Sequence, residues 1–207
     1  MGPCREQPVV IIVRDEEAAQ RALTEGTLAC PHAGCAGSVY RDGYARSRRI
    51  RTRAGTRREL RPQRVACRCC ERTHVLLPAW CVPGRYDDAE TIGVALLAAA
   101  QGHGHRSIAA RLGRPVTTAR GWLRAARSHA HALRERALSW QGWIEPVSDE
   151  RLLPAGSPLG DAVAALAAAA AATKRAFGVD RHDTMLWEYI VLISGGRLLR
   201  PPPPAPG

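Results

Sequence analysis

Lysine is almost absent from this chain of 207 residues, because Lys174 is the only one among 30 basic residues. Long apolar runs are absent as well. The longest, residues 162–172, is rich in alanine and falls short of the roughly 18–20 residues that a membrane span requires. The apolar stretch 9–13 is followed at once by acids, which is not the pattern of a secretory signal peptide. We therefore expect a cytoplasmic protein without a membrane segment.

Acidic residues are also scarce, since 19 of them leave a formal net charge of +11 and a pI of about 10.2. The excess is concentrated. Residues 41–75 contain 12 arginines and 3 acids, and residues 101–140 contain 8 arginines and 1 acid. Two compact basic blocks indicate two surfaces that contact phosphates. The alternative is a pair of solvated basic faces without a ligand.

Seven cysteines in a chain without an export signal indicate reduced thiols or metal ligands rather than disulfides. Cys30 and Cys35 form one close pair, and Cys67 and Cys70 form another. Two tight turns that each present two thiolates match the tetrahedral coordination of Zn²⁺. The spacing therefore predicts one structural zinc ion held by these four residues. Four thiolates close the coordination sphere, which disfavours a catalytic zinc.

Other residues near this pattern leave alternatives open. Cys69 lies between the second pair and competes for its place, while His32 or His74 could replace one thiolate. Cys4 and Cys81 are interpreted as bystanders. Unrelated reduced thiols remain the simplest rival interpretation.

The segment around the cysteines is strand-like. Residues 38–53 and 57–65 favour strands, residues 73–77 could add a third, and residues 8–13 predict one buried strand. Gly34 and Gly37 would give the first cysteine turn its backbone freedom. Apolar residues are too few here for packing alone to fold the segment, so metal binding would supply much of the folding free energy.

Helical patterns begin after Pro83. Residues 87–90 resemble a capping box that starts a helix ending near Gln101. A short helix over residues 105–112 would turn Ile108, Ala109 and Leu112 inward and stop at Gly113, and Pro115 suits the first turn of the next helix. Two helices joined by a glycine turn, within a basic block, predict a helix-turn-helix. A plain helical hairpin is the alternative.

The second of these helices would enter the major groove of DNA. Ala119, Trp122 and Leu123 are its expected core positions. The residues expected to face DNA are Val116, Thr117, Thr118, Arg120, Gly121 and Arg124, with Arg106 on the preceding helix. Arginines of the first block would hold phosphates: Arg48, Arg49, Arg51, Arg53, Arg57, Arg58 and Arg61.

This helix could continue as one long helix. A stripe with 4-3-4-3-4 spacing predicts an intramolecular core face, or else a surface for a partner helix; it comprises Ala119, Leu123, Ala126, Ala130, Leu133 and Ala137. The histidine pairs at positions 103/105 and 129/131 lie two apart, so we expect no metal there. Beyond them, Ser157-Pro158 would start an alanine-rich helix that ends at Gly178. Asp183-Thr184 would start another, whose apolar face begins at Met185 and which ends at Gly195-Gly196.

Several of these motifs resemble known sequences. Cys30-Pro-His…Cys35 and Arg64-Val-Ala-Cys67-Arg-Cys-Cys70-Glu-Arg-Thr73 are similar to the zinc ribbon that opens many insertion-sequence transposases. The stretches at 107–113 and 118–124 are similar to the helix-turn-helix of the same elements. Over residues 8 to 200 the chain resembles an actinobacterial family of transposase-like proteins with both motifs. It departs from them in having four residues inside the first cysteine pair and Glu71 where glycine is common.

Together these observations predict an α+β fold. We expect an N-terminal strand and zinc ribbon at 1–83, a helix-turn-helix domain at 84–144, a helical segment at 145–200 and a flexible tail at 201–207. The resemblance implies a mobile-element protein, associated with the bacterial nucleoid, that binds duplex DNA with one structural Zn²⁺. A homodimer or a separate transposase or recombinase chain would be its protein partner. A nuclease domain with three well-separated carboxylates would be much longer than the segment after the helix-turn-helix, which favours helices, so we expect no enzyme activity. A transcriptional regulator, a non-catalytic recombinase subunit and, more weakly, an RNA-binding ribbon are the rival functions.

Overall fold

A computed structural model describes residues 9–32, 34–146, 152–178 and 186–201. Within these ranges the chain has mixed α and β content, as predicted, with six strands that all precede six of the seven helices. The described helices include none that is long and apolar enough to cross a membrane. The elements are β1 (Val9–Val13), α1 (Glu16–Glu25), β2 (Val39–Tyr44), β3 (Arg48–Arg51), β4 (Arg57–Leu60), β5 (Gln63–Cys67), β6 (Thr73–Pro78), α2 (Ala89–Ala100), α3 (His105–Leu112), α4 (Val116–Arg127), α5 (Ala130–Ile144), α6 (Pro158–Ala176) and α7 (Leu186–Ile193).

Four strands form one sheet in the order β1-β6-β5-β2, and β3 with β4 forms a separate hairpin. β1 runs parallel to β6, whereas β5 is antiparallel to both of its neighbours. The two long strands predicted at 38–53 and 57–65 are each broken in two. Pro62 separates β4 from β5, because proline has no amide hydrogen for a strand ladder. β1 was predicted to be buried, but residues 10–13 are half-buried because the strand lies at the sheet edge.

Helix α1 was missing from the sequence prediction. The Asp15 side chain accepts a 2.8 Å hydrogen bond from the Ala18 amide and so caps the helix start. Gly26 ends the helix with φ +70°, a left-handed conformation that suits glycine. Leu23 packs among the apolar residues of the sheet, so α1 covers one side of the core that surrounds the cysteines.

The six helices after the sheet share one hydrophobic core. The described residues after 144 pack onto the preceding helices. α6, rich in alanine, lies against α5, and the Trp187 ring of α7 lies against Gly93 of α2, where no side chain would fit. The largest fully buried members of the core are Ile92, Leu96, Ile108, Leu123, Leu166, Ile190, Ile193 and Leu198.

The predicted long helix is wrong, because α4 ends at Arg127 and α5 begins at Ala130. Between them the ring of His129 is buried, and its Nε2 atom lies 3.0 Å from the carbonyl oxygen of Arg197. All six residues of the predicted stripe are nevertheless buried, which confirms the intramolecular interpretation. The predicted cap at Asp183-Thr184 and Met185 lie outside the described residues.

Candidate metal centre and basic surface

Cys30, Cys35, Cys67 and Cys70 lie together, as the sequence predicted, with all four sulfur atoms within 4.8 Å of one another. The Sγ–Sγ distance is 3.7 Å between Cys30 and Cys70 and 3.6 Å between Cys35 and Cys67, without a disulfide. A tetrahedral metal with bonds of about 2.3 Å to sulfur places its ligands about 3.8 Å apart. These two distances match that geometry, and the four side chains lie close enough together to hold one metal ion.

Backbone amides point at two of these sulfurs. The Gly37 amide lies 3.4 Å from Cys35 Sγ, and the Cys69 amide lies 3.3 Å from Cys67 Sγ. Such contacts favour a thiolate over a thiol. Hydrogen bonds from the backbone of Cys70 and then of Cys69 lower the pKa of Cys67 to about 6, while burial raises the pKa of Cys30 to about 12. A bound cation would favour the ionised form of both residues.

Gly37 is required because no larger residue would fit at this position. A Cβ atom at this position would lie 2.6 Å from the Cβ of Cys69 and 2.9 Å from Cys67 Sγ. Gly34 is required for conformation instead, because its φ is +78° and open space surrounds it. The sequence prediction assigned both glycines to backbone freedom, and only the structure separates these two reasons.

The other cysteines and histidines take different places. Cys69 is exposed and outside the cluster, and Cys81 is buried in a separate apolar group with Ile50. His74 is buried with its Nε2 atom 3.5 Å from Cys30 Sγ, so its imidazole can donate to that sulfur without being a ligand. Among the described residues the cysteine cluster alone has metal-ligand geometry, and the histidine pairs do not. Cys4 lies outside the residues that the structure describes.

Helices α3 and α4 are joined by a three-residue turn at 113–115. Gly113 ends α3 with φ +60°, as predicted from its position. Ala119, Trp122 and Leu123 are buried, and Leu112 is half-buried rather than fully inside. The remaining predicted positions form an outer face in which Thr118 and Gly121 are half-buried and the others exposed: Val116, Thr117, Arg120, Arg124 and, on α3, Arg106.

An ion-pair cluster, here called the Asp87 latch, joins the β3–β4 hairpin to this turn. Asp87 accepts from Arg114 Nε at 2.6 Å and from an Arg51 guanidinium nitrogen at 2.9 Å, and its side chain is 3% exposed. Arg114 also donates to the carbonyl oxygen of Thr52 at 3.1 Å. The hairpin tip is thus fixed beside the first turn of α4. The sequence predicted a helix start within residues 87–90, and there Asp88 caps α2 by accepting from the Thr91 amide.

The hairpin arginines differ in their exposure and in the contacts that their side chains make. Arg51 belongs to the Asp87 latch, and the Arg58 guanidinium stacks over the Trp80 ring at 4.1 Å. Arg53 reaches Glu90 only at 4.0 Å. Arg49 and Arg57 are exposed on opposite strands, and Arg48 is half-buried. Arg61 lies over the Tyr44 ring at 4.5 Å.

The Asp87 latch had no local sequence signal, because its partners lie 36 and 27 residues from Asp87 along the chain. The only indirect signal in the sequence is Arg114, the arginine directly after the glycine that ends α3.

A family model matches residues 30–114, and its description is Domain of unknown function (DUF6431). That match begins at the first cysteine of the cluster and ends at Arg114 of the latch. Neither the curated proteins nor the solved structures contain a match to the chain.

Proposed function

We propose that the chain is a sequence-specific duplex-DNA-binding protein with one structural zinc ion. The observation that carries this proposal is the Asp87 latch, which places a basic hairpin next to the start of α4. In a helix-turn-helix the N-terminal part of the second helix contacts base edges. The latch brings residues of the two basic blocks of the sequence into contact, which supports a single DNA-binding surface that uses both blocks.

The two parts of this surface have different roles. On α4, Thr117, Arg120 and Arg124 project outward and can reach base edges in the major groove. On the hairpin, Arg49 and Arg57 are exposed and can contact flanking phosphates, which position a protein without carrying sequence information. The proposal includes no catalytic step.

Zinc is the proposed ion because a tetrahedral tetrathiolate site suits Zn²⁺, with iron as the rival. Protein purified without added metal should contain about one equivalent of zinc per chain by elemental analysis. Cys67→Ser should lose the metal. Cys69→Ser should keep it, because Cys69 lies in the same turn but is exposed and outside the cluster. Iron would be recognised by its thiolate charge-transfer absorption and would contradict the zinc assignment. Metal retained in Cys67→Ser would contradict the ligand assignment.

DNA binding is tested by selecting bound sequences from a random duplex pool with the purified protein. A single enriched motif is expected. Arg120→Ala should then weaken binding to that motif by about 1–3 kcal/mol and binding to random duplex much less. Arg134→Ala on α5 removes the same charge and serves as the control. Enrichment of single-stranded RNA over duplex DNA in a parallel pool, or no enrichment, would contradict the proposal.

The resemblance to transposase-like proteins supports a role at mobile elements, where the protein would recognise element ends or its own promoter. The rivals are a transcriptional regulator unrelated to transposition and a non-catalytic subunit of a separate recombinase. The selected motif decides between them. Terminal repeats of an element would support a role at mobile elements, and operators unconnected with any element would favour a transcriptional regulator.

A further inference from the structure

Four arginines that the proposed function does not use converge near the C-terminal end of α7. Arg136 Nε donates to the carbonyl oxygen of Ile193 at 2.6 Å, and Arg197 donates to that of Pro201 at 3.1 Å. Arg85 approaches the carbonyl oxygen of Leu199 at 3.5 Å. We call these three arginines and Arg200 the arginine cluster. They come from the loop before α2, from α5 and from the segment after α7.

Two glycines let guanidinium groups approach the backbone in this cluster. Gly84, with φ +74°, lies directly under the Arg200 guanidinium, so a side chain here would displace it. Gly195, with φ +60°, lies under Arg136, whose terminal nitrogen would be 2.9 Å from an added Cβ. The backbone is therefore shaped around the charged groups on both sides of the cluster.

Within the described ranges, no carboxylate forms an ion pair with any of the four arginines. The C-terminus of α7 offsets about half of one positive charge. Burial and then the charge of Arg200 lower the pKa of Arg85. Burial, Arg136 and Arg200 lower the pKa of Arg197. The cluster consequently keeps an excess of positive charge at close range.

The cluster also has unused donor capacity. Arg85 Nε is buried and has no hydrogen-bond partner, which is costly for a charged group. Arg200 is exposed, and its guanidinium lies against Gly84, the residue next to Arg85. A guanidinium group can donate two parallel hydrogen bonds to the oxygens of a phosphate group. A bound anion would accept from the unpartnered Arg85 donor and would offset the positive charge of the cluster.

We propose that the arginine cluster is a binding site for a phosphate group. Arg85 and Arg200 are its donors, while Arg136 and Arg197 fix the surrounding carbonyl groups and add positive charge. Both a free phosphate compound and a nucleic-acid backbone carry this chemistry. The inference does not depend on the DNA-binding proposal, because a free phosphate compound would fill the site equally well.

The test measures the thermal stability of the full-length, metal-loaded protein in inorganic pyrophosphate and in sodium chloride of equal ionic strength. Wild type should be stabilised more by pyrophosphate than by chloride, with saturation. The double variant Arg85→Gln/Arg200→Gln should bind pyrophosphate at least tenfold more weakly by calorimetry. Arg21→Gln, at an exposed position of α1, removes a charge outside the cluster and should bind like wild type.

Arg200→Gln alone separates an anion site from a purely structural cluster. Without an anion this variant should be at least as stable as wild type, because repulsion is relieved, and with pyrophosphate it should be less stable. Lower stability in both conditions, or equal pyrophosphate responses in wild type and the double variant, would overturn the proposal. A short duplex that competes with pyrophosphate identifies a backbone phosphate as the source. Unchanged pyrophosphate affinity in saturating duplex identifies a free phosphate compound.

Discussion

At the scale of single residues, Glu71 shows how the second cysteine turn is completed. Its φ is +56°, and it is the only residue other than glycine with a positive φ in the described ranges. A left-handed conformation costs a residue with a side chain about 1–2 kcal/mol. Glycine adopts this conformation without a steric penalty, so a side chain at position 71 is a local source of strain.

Glu71→Gly should stabilise the metal-loaded protein. The relieved strain exceeds the extra chain entropy that glycine gives the unfolded state, so we expect a gain of up to about 1 kcal/mol, or about 2–4 °C in Tm. Differential scanning calorimetry at saturating metal measures this shift. Glu59→Gly, on strand β4 with ordinary backbone geometry, is the control and should lower Tm. A lower Tm for Glu71→Gly would show that its side chain matters more than its backbone.

At the scale of elements, the buried carboxylate of Asp87 joins the hairpin to the α3–α4 turn. Asp87→Asn should destabilise the protein by about 2–4 kcal/mol, because it leaves two guanidinium groups side by side without a counter-charge; the value allows for the 35% exposure of the Arg51 side chain. Chemical denaturation at saturating metal measures the loss. Asp42→Asn, which breaks the more exposed ion pair with Arg64, should cost less than about 1 kcal/mol. Equal losses in the two variants would contradict the latch.

Elements with local signals were predictable from the sequence, and those set by distant contacts were not. Gly113 and Ser157 mark helix ends that the structure confirms, because caps depend on neighbouring residues. The cysteine cluster was predictable for the same reason, since each pair forms its own turn. The break between α4 and α5 was not, because His129 is held by a carbonyl group 68 residues away. The arginine cluster likewise joins segments that are far apart in sequence.

At the scale of the whole molecule, DNA affinity should depend on salt through the hairpin as well as through α4. The slope of log K against log salt is negative, and each lost phosphate contact reduces its magnitude by about 0.9. Arg49→Ala/Arg57→Ala should therefore reduce this magnitude by about two units and leave the preferred sequence unchanged. Titrations at four salt concentrations measure this, with Arg21→Ala/Arg134→Ala as a control of equal charge. An unchanged slope would remove the hairpin from the DNA interface.

The pairing of β1 with β6 has a consequence for synthesis on the ribosome. The Val-Val-Ile-Ile-Val segment of β1 is made before β6, the strand with which it pairs, and β6 ends at Pro78. At about 5–20 residues per second, the segment waits several seconds for β6 to be translated. An uncharged β-branched run of this kind pairs readily with other chains while it waits. Production of the protein should therefore depend on chaperone capacity until translation passes β6, and slower translation of residues 14–78 should lower the soluble yield.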